Sequence, residues 1–219
     1  MELKISPDLK ERFTGLQALI AHIRGVKVES RNAELEDFKQ KIIKEVKDKY
    51  DIESLKDVPI FRAYRDFFWR VGIDPTKVRP AAEALIRRIL GGKSIPRINN
   101  VVDAYNLASI KTEIALAAFD EDKIQGNLIM RLAIKGEKFL GIDMEEPKEL
   151  QGGEIVISDD VKLVAIYPYR DADESKLNEE TKNILLMICG VPGISKESLI
   201  DAKNIAIEYI TKFCGGIKV

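Results

Sequence analysis

The chain has 219 residues, 45% of them hydrophobic and 32% charged, enough to bury a sizeable core in one domain or two small ones and too apolar for a disordered chain. Thirty-five basic residues against thirty-six acidic leave a formal charge of -1, so no global positive field announces a nucleic-acid binder, and any contact with RNA must use a local patch. No apolar run approaches the roughly 18 residues of a membrane span, and Glu2, Asp8 and Glu11 break up the first twenty residues, so neither a membrane partner, nor DNA, nor a secretory leader is expected, and a cytoplasmic location is.

In chain order, Leu9, Phe13, Leu16, Ile20 and Ile23 fit a helical stripe, yet LQALIAHIRGVKV also reads as a strand with both faces apolar, bounded by Gly15 and Gly25. From Glu34 to Lys49, Leu35, Phe38, Ile42 and Val46 recur at helical spacing behind an Asn32 cap. A second helix starts at Pro59, lines up Ile60, Tyr64, Phe67 and Val71, and stops at Gly72. A third runs from Pro80 to Leu90 and closes on Gly91 and Gly92. The segment from Asn99, if helical, presents a polar face.

After Phe119 the period changes to two: Leu128, Met130, Leu132 and Ile134 alternate with Ile129, Arg131 and Ala133, and short apolar runs follow at 139–142, 154–157 and 162–169. The chain closes with two predicted helices, 179–189 and 196–213, the second behind a Ser195 cap with Leu199, Ala202, Ala206, Tyr209 and Phe213 as its stripe. No repeat or long linker interrupts the pattern. The expectation is one compact domain over residues 1–219, of the α+β class.

Several groups suit chemistry. Lys77, Arg79, Arg87, Arg88 and Lys93 form a basic cluster on a turn and the helix after it, suited to phosphates, although a solvated face with internal ion pairs gives the same pattern. Asn99, Asp103 and Asn106 stand at i, i+4 and i+7, which puts two amides and a carboxylate on one helix face, with Asn100 beside them. Such a face suits a polar ligand or the bracing of a buried turn. Glu154 opens a strand after two glycines, facing water or a pocket mouth. His22 is the only histidine, Cys189 and Cys214 lack ligand spacing, and GGKS at 91–94 lacks the spacer of a phosphate loop. Histidine-based nucleophilic catalysis, a multi-imidazole zinc site and a nucleotide-binding loop are therefore not expected, nor is any metal or cofactor.

The strings DPTKVRPAAEALIRRIL, INNVVDAYN and AFDEDKIQGNLIMRLAIKGEKF resemble the B3/B4 domain, found inside the beta subunit of phenylalanyl-tRNA synthetase and as freestanding proteins. The resemblance implies a β-sandwich-like core with flanking helices, and a short helix over 7–13 followed by a strand. It further implies a tRNA-binding protein that hydrolyses the ester of mischarged aminoacyl-tRNA in trans, with the aminoacylated acceptor end of tRNA as its partner. Gly126, Arg131, Gly136 and Glu137 stand at the family's positions. Ala117 stands where the bacterial domains carry a histidine, so their tyrosine-rejecting pocket does not carry over intact. YPYRDADESKLNEETKNILL resembles the family's second editing segment, with Asp173 at the place of its glutamate and Arg170 and Asp171 as the pair seen in freestanding members.

These implications assign Asn100, Asp120 and Asp173 as catalytic candidates, Asn99, Asp103, Asn106, Arg131, Glu154, Arg170 and Asp171 as substrate contacts, and the basic cluster as the tRNA contact. Together they require a cleft where the asparagine-bearing segment, the loop after Ala117 and the acidic turn beyond Tyr169 meet. A non-catalytic module docking tRNA or a protein through the same surface is the alternative, and an enzyme acting on a small metabolite or modified amino acid is a third.

Overall fold

The computed structural model describes all 219 residues. A four-stranded sheet has the order β11(Gly215–Lys218), β2(Ala18–Val26), β10(Asn183–Cys189), β3(Ala115–Asp120). β10 runs antiparallel to both neighbours, pairing Met187 with Ile20 on one side and with Ala117 on the other. From Ile184 to Cys189 every residue of β10 is buried. A strand covered on both faces gains from an uninterrupted apolar run, and ILLMIC is one.

The sequence reading of 179–189 as a helix is therefore wrong. ETKN looks like a capped helix start, and the apolar residues from Ile184 to Cys189 that follow carry no period to contradict it. The strand wins because it completes the ladder between β2 and β3. AFD likewise closes strand β3 and is not a loop. LQALIAHIRGVKV resolves as β2, preceded by α1(Pro7–Arg12), as the family resemblance implied.

A second, five-stranded sheet has the order β1(Leu3–Ile5), β4(Leu128–Leu132), β7(Ile155–Ser158), β8(Leu163–Ile166), β9(Arg170–Asp171). Its inward residues Leu128, Met130, Ile155, Ile157 and Ala165 join those of the first sheet in one continuous core. The outward residues Val156 and Ile166 enter a smaller cluster with Phe139 and Leu150, which come from the hairpin of β5(Lys138–Phe139) and β6(Lys148–Glu149). The fold is thus α+β, as the pattern indicated, with two packed sheets and helices around them, as the family resemblance implied.

The helices α2(Ala33–Lys49), α3(Pro59–Arg70), α4(Ala81–Leu90), α5(Asn100–Thr112) and α6(Lys196–Cys214) follow the apolar stripes in the sequence. Asn32 caps α2 by accepting from the Leu35 amide at 2.9 Å, and Ser195 caps α6 by accepting from Ser198 at 3.1 Å. α5 and α6 pack on each other and on the four-stranded sheet. No helix is long and apolar enough to cross a membrane.

α3 and α4 are joined by a buried carboxylate. Glu83, with no exposed surface, accepts from Arg65 Nε and Nη2 at 2.9 Å each and from Arg87 Nε at 2.7 Å. Burial alone would raise its pKa, but Arg65 and Arg87 outweigh that and hold it below the ordinary value. Removing one side of such a cluster leaves charge uncompensated in a poorly solvated place. Glu83→Ala is expected to lower stability by about 3 kcal/mol, read as a lower urea midpoint at unchanged denaturant slope.

Candidate functional site

The asparagine-bearing helix, the strand through Ala117 and the segment beyond Ala165 meet around one recess of about 230 Å³ between the two sheets. Pleat parity explains its walls. On β3 and β10, Ala117 is paired with Met187 and Ala115 with Cys189, so Ala117, Phe119, Met187 and Cys189 share the face turned toward β8. From the opposite sheet comes Ala165. Two alanines in opposed sheets leave room that longer side chains would fill. Val102, Tyr105 and Asn106 of α5 close one side, with Ala81 and Ile98 at the rim. Ile98 is 59% exposed and marks the mouth.

β9 brings the charge. Asp171 is paired across the ladder with Ala165 and Arg170 with Ile166, so the two side chains leave on opposite faces. Asp171 enters the recess, where burial raises its carboxyl pKa to about 7 against the lowering effect of Arg170. Arg170 turns outward and donates to the Ile142 carbonyl at 3.1 Å. Its methylenes lie over Gly141, where a Cβ would stand 2.8 Å from them. The Tyr105 hydroxyl, next to Asp171, is kept protonated by burial first and by that carboxylate second. Asn106 is half-buried on the same wall.

Two further tyrosines fix the end of β10. The Tyr64 hydroxyl donates to the Cys189 carbonyl and accepts from the Ala115 amide at 3.0 Å, standing between two residues that the strand register sets opposite each other. Tyr167 donates to the Gly190 carbonyl at 2.5 Å. Both rings are buried.

Of the residues selected from sequence, the recess brings together Asn106 and Asp171. The others lie elsewhere. Asn100 is buried and faces backbone: Oδ1 accepts from the Glu29 amide at 2.8 Å and Nδ2 donates to the Lys27 carbonyl at 2.9 Å. Asn99 caps α5 by accepting from Val102 at 2.9 Å. Asp103 is paired with buried Lys39 at 3.1 Å and accepts from the Ile98 amide at 3.1 Å. Asp120 accepts from the Thr181 hydroxyl at 2.8 Å. Asp173 pairs with Lys176 at 2.7 Å on the turn after β9. Arg131 makes a two-pronged pair with Glu137 at 2.9 and 2.6 Å. Glu154 accepts from the Gln151 amide at 3.0 Å through Oε1, while Oε2 is buried without a partner. His22 is half-buried against Glu121, with Nδ1 2.9 Å from Oε1.

The basic cluster stays together. Lys77, Arg79, Arg87, Arg88 and Lys93 line one surface concavity with no carboxylate on its wall. Ala84 lies in that concavity and Ala81 at the recess, one helical turn apart on α4. The two hollows thus share the first turn of α4.

Sequence reasoning passed over Tyr105, Ala165, Phe119 and Met187 as site residues. Met187 was hidden by the helix expected over 179–189, and its signal was strand parity, available only once β10 is recognised as a strand. Tyr105 stands one residue before Asn106 on α5 and carried no signal of its own.

Two outcomes follow from this geometry. Asn100→Ala removes both partners of a buried backbone pair and is expected to cost about 2 kcal/mol in a denaturant titration. For Asp171, the folded carboxyl titrates near 7 and the unfolded one near its ordinary value of 3.8. The folded state therefore holds the extra proton between those values, and its stability falls as pH rises through that window and levels off above it. Asp171→Asn is expected to flatten this decline and to melt higher than the wild type at pH 8, with the two chains converging near pH 4.

Comparison with known proteins places these observations in a family. The description B3/4 domain matches residues 63–215, more than half of the chain. The Phenylalanine--tRNA ligase beta subunit of Aquifex aeolicus is 41% identical over 101 residues, covering 46% of this chain and 13% of that protein. The same subunit of Fusobacterium nucleatum is 34% identical over 116 residues, covering 53% of this chain and 14% of that one. The chain therefore spans only a small part of the length of these relatives. An N-terminal fragment of the phenylalanyl-tRNA synthetase beta-subunit from Pyrococcus horikoshii shares the fold, with a TM-score of 0.53 at 14% identity over 99% of this chain and 50% of that one. The chain belongs to the B3/4 domain family.

Proposed function

We propose that this protein binds the aminoacylated end of a tRNA and hydrolyses the ester that carries the amino acid. The observation that supports the reading is an apolar recess with one carboxylate in its wall, opening beside a concavity of five cations through the shared first turn of α4. Phosphates of the acceptor end lie against Lys77, Arg79 and Lys93, where charge-assisted contacts position the chain without reading its bases. The esterified amino acid enters the recess, its side chain against Ala117, Phe119 and Met187.

In this reading Asp171 takes the ammonium group. A cation at contact distance favours the carboxylate form and draws its pKa down from about 7. Asn106 donates its amide N–H to the ester carbonyl, whose oxygen gains negative charge as water adds to the carbon. The bond from carbonyl carbon to ribose oxygen then breaks, the ribose oxygen takes the proton that water releases, and the free amino acid and uncharged tRNA leave. The neighbouring ribose hydroxyl helps to orient the water. The ester is reactive enough that one well-placed donor, worth roughly 10²–10³ in rate, is a sufficient contribution from the protein. Asn106 and Asp171, substrate contacts in the sequence reading, take the central roles here, while Asn100 and Asp120 act as braces.

The sparse polar lining of the recess favours a second reading, a module that holds the charged end without cleaving it. A panel of tRNAs charged with different amino acids separates the two. Wild-type protein at catalytic concentration is expected to release the amino acid from one pairing. Asn106→Ala is expected to reduce that rate about 100-fold. At subsaturating tRNA, where the free protein's titration governs, the rate should climb with pH through the Asp171 titration near 7, and this rise, above that of the spontaneous reaction, should vanish in Asp171→Asn. Retained charge on every tRNA, with binding still measurable, would leave the docking module.

A further inference from the structure

The five-cation concavity flanks only one side of α4. On its other side a groove of about 430 Å³ runs between α2 and the C-terminal end of α4. Its wall carries Lys39, Lys47, Lys93 and Arg97 against a single acid, Glu36. Lys39 is buried in its pairs with Glu36 and Asp103, and Arg97 reaches Glu36 at 3.0 Å. Lys47 and Lys93 are exposed and belong to no ion pair, and Arg97, 51% exposed, gives Glu36 only Nη2, so all three are open to a ligand. The loop that carries Lys93 crosses Gly92, whose backbone has φ +70 and open space where a Cβ would stand.

The two basic hollows are continuous. Lys93 lines both, and Arg97 in the groove is followed directly by Ile98 at the mouth of the recess. Together they hold eight basic side chains and one carboxylate, in a chain whose 35 basic and 36 acidic residues almost cancel. Charge is thus segregated onto both flanks of α4, and the remainder of the molecule is acidic. A helix of 10 residues is about 15 Å long, roughly four steps of a nucleic-acid strand at 3.4 Å each. A surface that displays cations along that length on two sides, beside a recess for a single residue, matches a phosphate backbone better than a compact anion.

We infer that the groove between α2 and α4 is a second phosphate site, which holds the paired RNA stem behind the end that occupies the recess. This rests on the tRNA reading above and extends it from the acceptor end to the stem. The contact is to backbone and shape, so the groove contributes affinity without sequence preference.

The test compares two probes, an acceptor-stem minihelix and a single-stranded oligonucleotide matching the 3′ end, titrated by fluorescence anisotropy over a salt series with the full chain. Lys47→Gln and the double variant Lys47→Gln with Arg97→Gln are set against wild type and against Lys138→Gln on the β5–β6 hairpin. Loss of two phosphate contacts is expected to weaken minihelix binding about tenfold and to reduce the slope of log affinity against log salt by about 1–2. Single-strand binding should stay within twofold, and Lys138→Gln should match wild type. Lys47→Gln alone, on an exposed position, should move the minihelix in the same direction and guards against misfolding of the double variant. If wild type binds the minihelix and neither variant alters affinity or slope, the inference falls while the acceptor-end reading stands. If wild type binds neither RNA, both fall. If the variants lose affinity for polyglutamate and not for the minihelix, the groove is a docking site for acidic protein and the inference is overturned.

Discussion

The recess depends on how little side chain the two sheets place between them. Packed sheets stand about 10 Å apart because interdigitated side chains hold them there. Where Ala117 on β3 and Ala165 on β8 turn inward, the backbones keep that spacing but the filling is missing. A void of this kind lowers stability unless its walls relax into it, so it persists only where they are held apart. Here Tyr64 and Tyr167 hold the end of β10 by hydrogen bonds to consecutive carbonyls, and α5 supports the flank, so the strands cannot close in. An apolar cavity of about 150 Å³ takes a benzene ring, and the recess of about 230 Å³ is larger than that.

The charges are arranged by a similar economy. Arg65 and Arg87 are committed to Glu83, which fixes α3 against α4, and Lys39 is committed to Asp103, which fixes α2 against α5. These internal pairs hold the helices that carry or flank the exposed cations. Arg79, Lys47 and Lys93 are left outside them. An exposed basic cluster on a mobile helix would lose much of its binding to ordering entropy. On a helix locked by buried ion pairs, that loss is incurred in folding and not in binding.

Much of this was legible in the sequence, for identifiable reasons. The helices read over 34–49, 59–72, 80–90 and 196–213, the caps at Asn32 and Ser195 and the alternation at 128–132 rest on local signals, and each produced the element it announced. INNVVDAYN and its neighbours pointed to the family, and Lys77 to Lys93 to a common surface. What stayed hidden is set by long-range pairing. β10 looks helical until β2 and β3 are laid beside it. The roles of Asn100 and Asp103 depend on backbone brought from residues 27–29 and on Lys39, all more than sixty residues away. An amide that braces a buried chain and an amide that faces a ligand have the same letter.

Asp171 shows where that limit turns into chemistry. RD in an acidic loop reads as two solvated charges, and nothing in the neighbouring letters ranks one above the other. Two residues of β9 suffice to separate them, because pairing with Ile166 and Ala165 sends the arginine to the hairpin side and the aspartate between the sheets. The arginine is then occupied by the Ile142 carbonyl and cannot swing in to neutralise the carboxylate without leaving its place over Gly141. A carboxylate in that position is held short of full ionisation near neutral pH. It gains most from a partner that brings its own positive charge into the recess. A register of one residue thus decides whether the pocket attracts a cation or, with Arg170 in the same place, an anion.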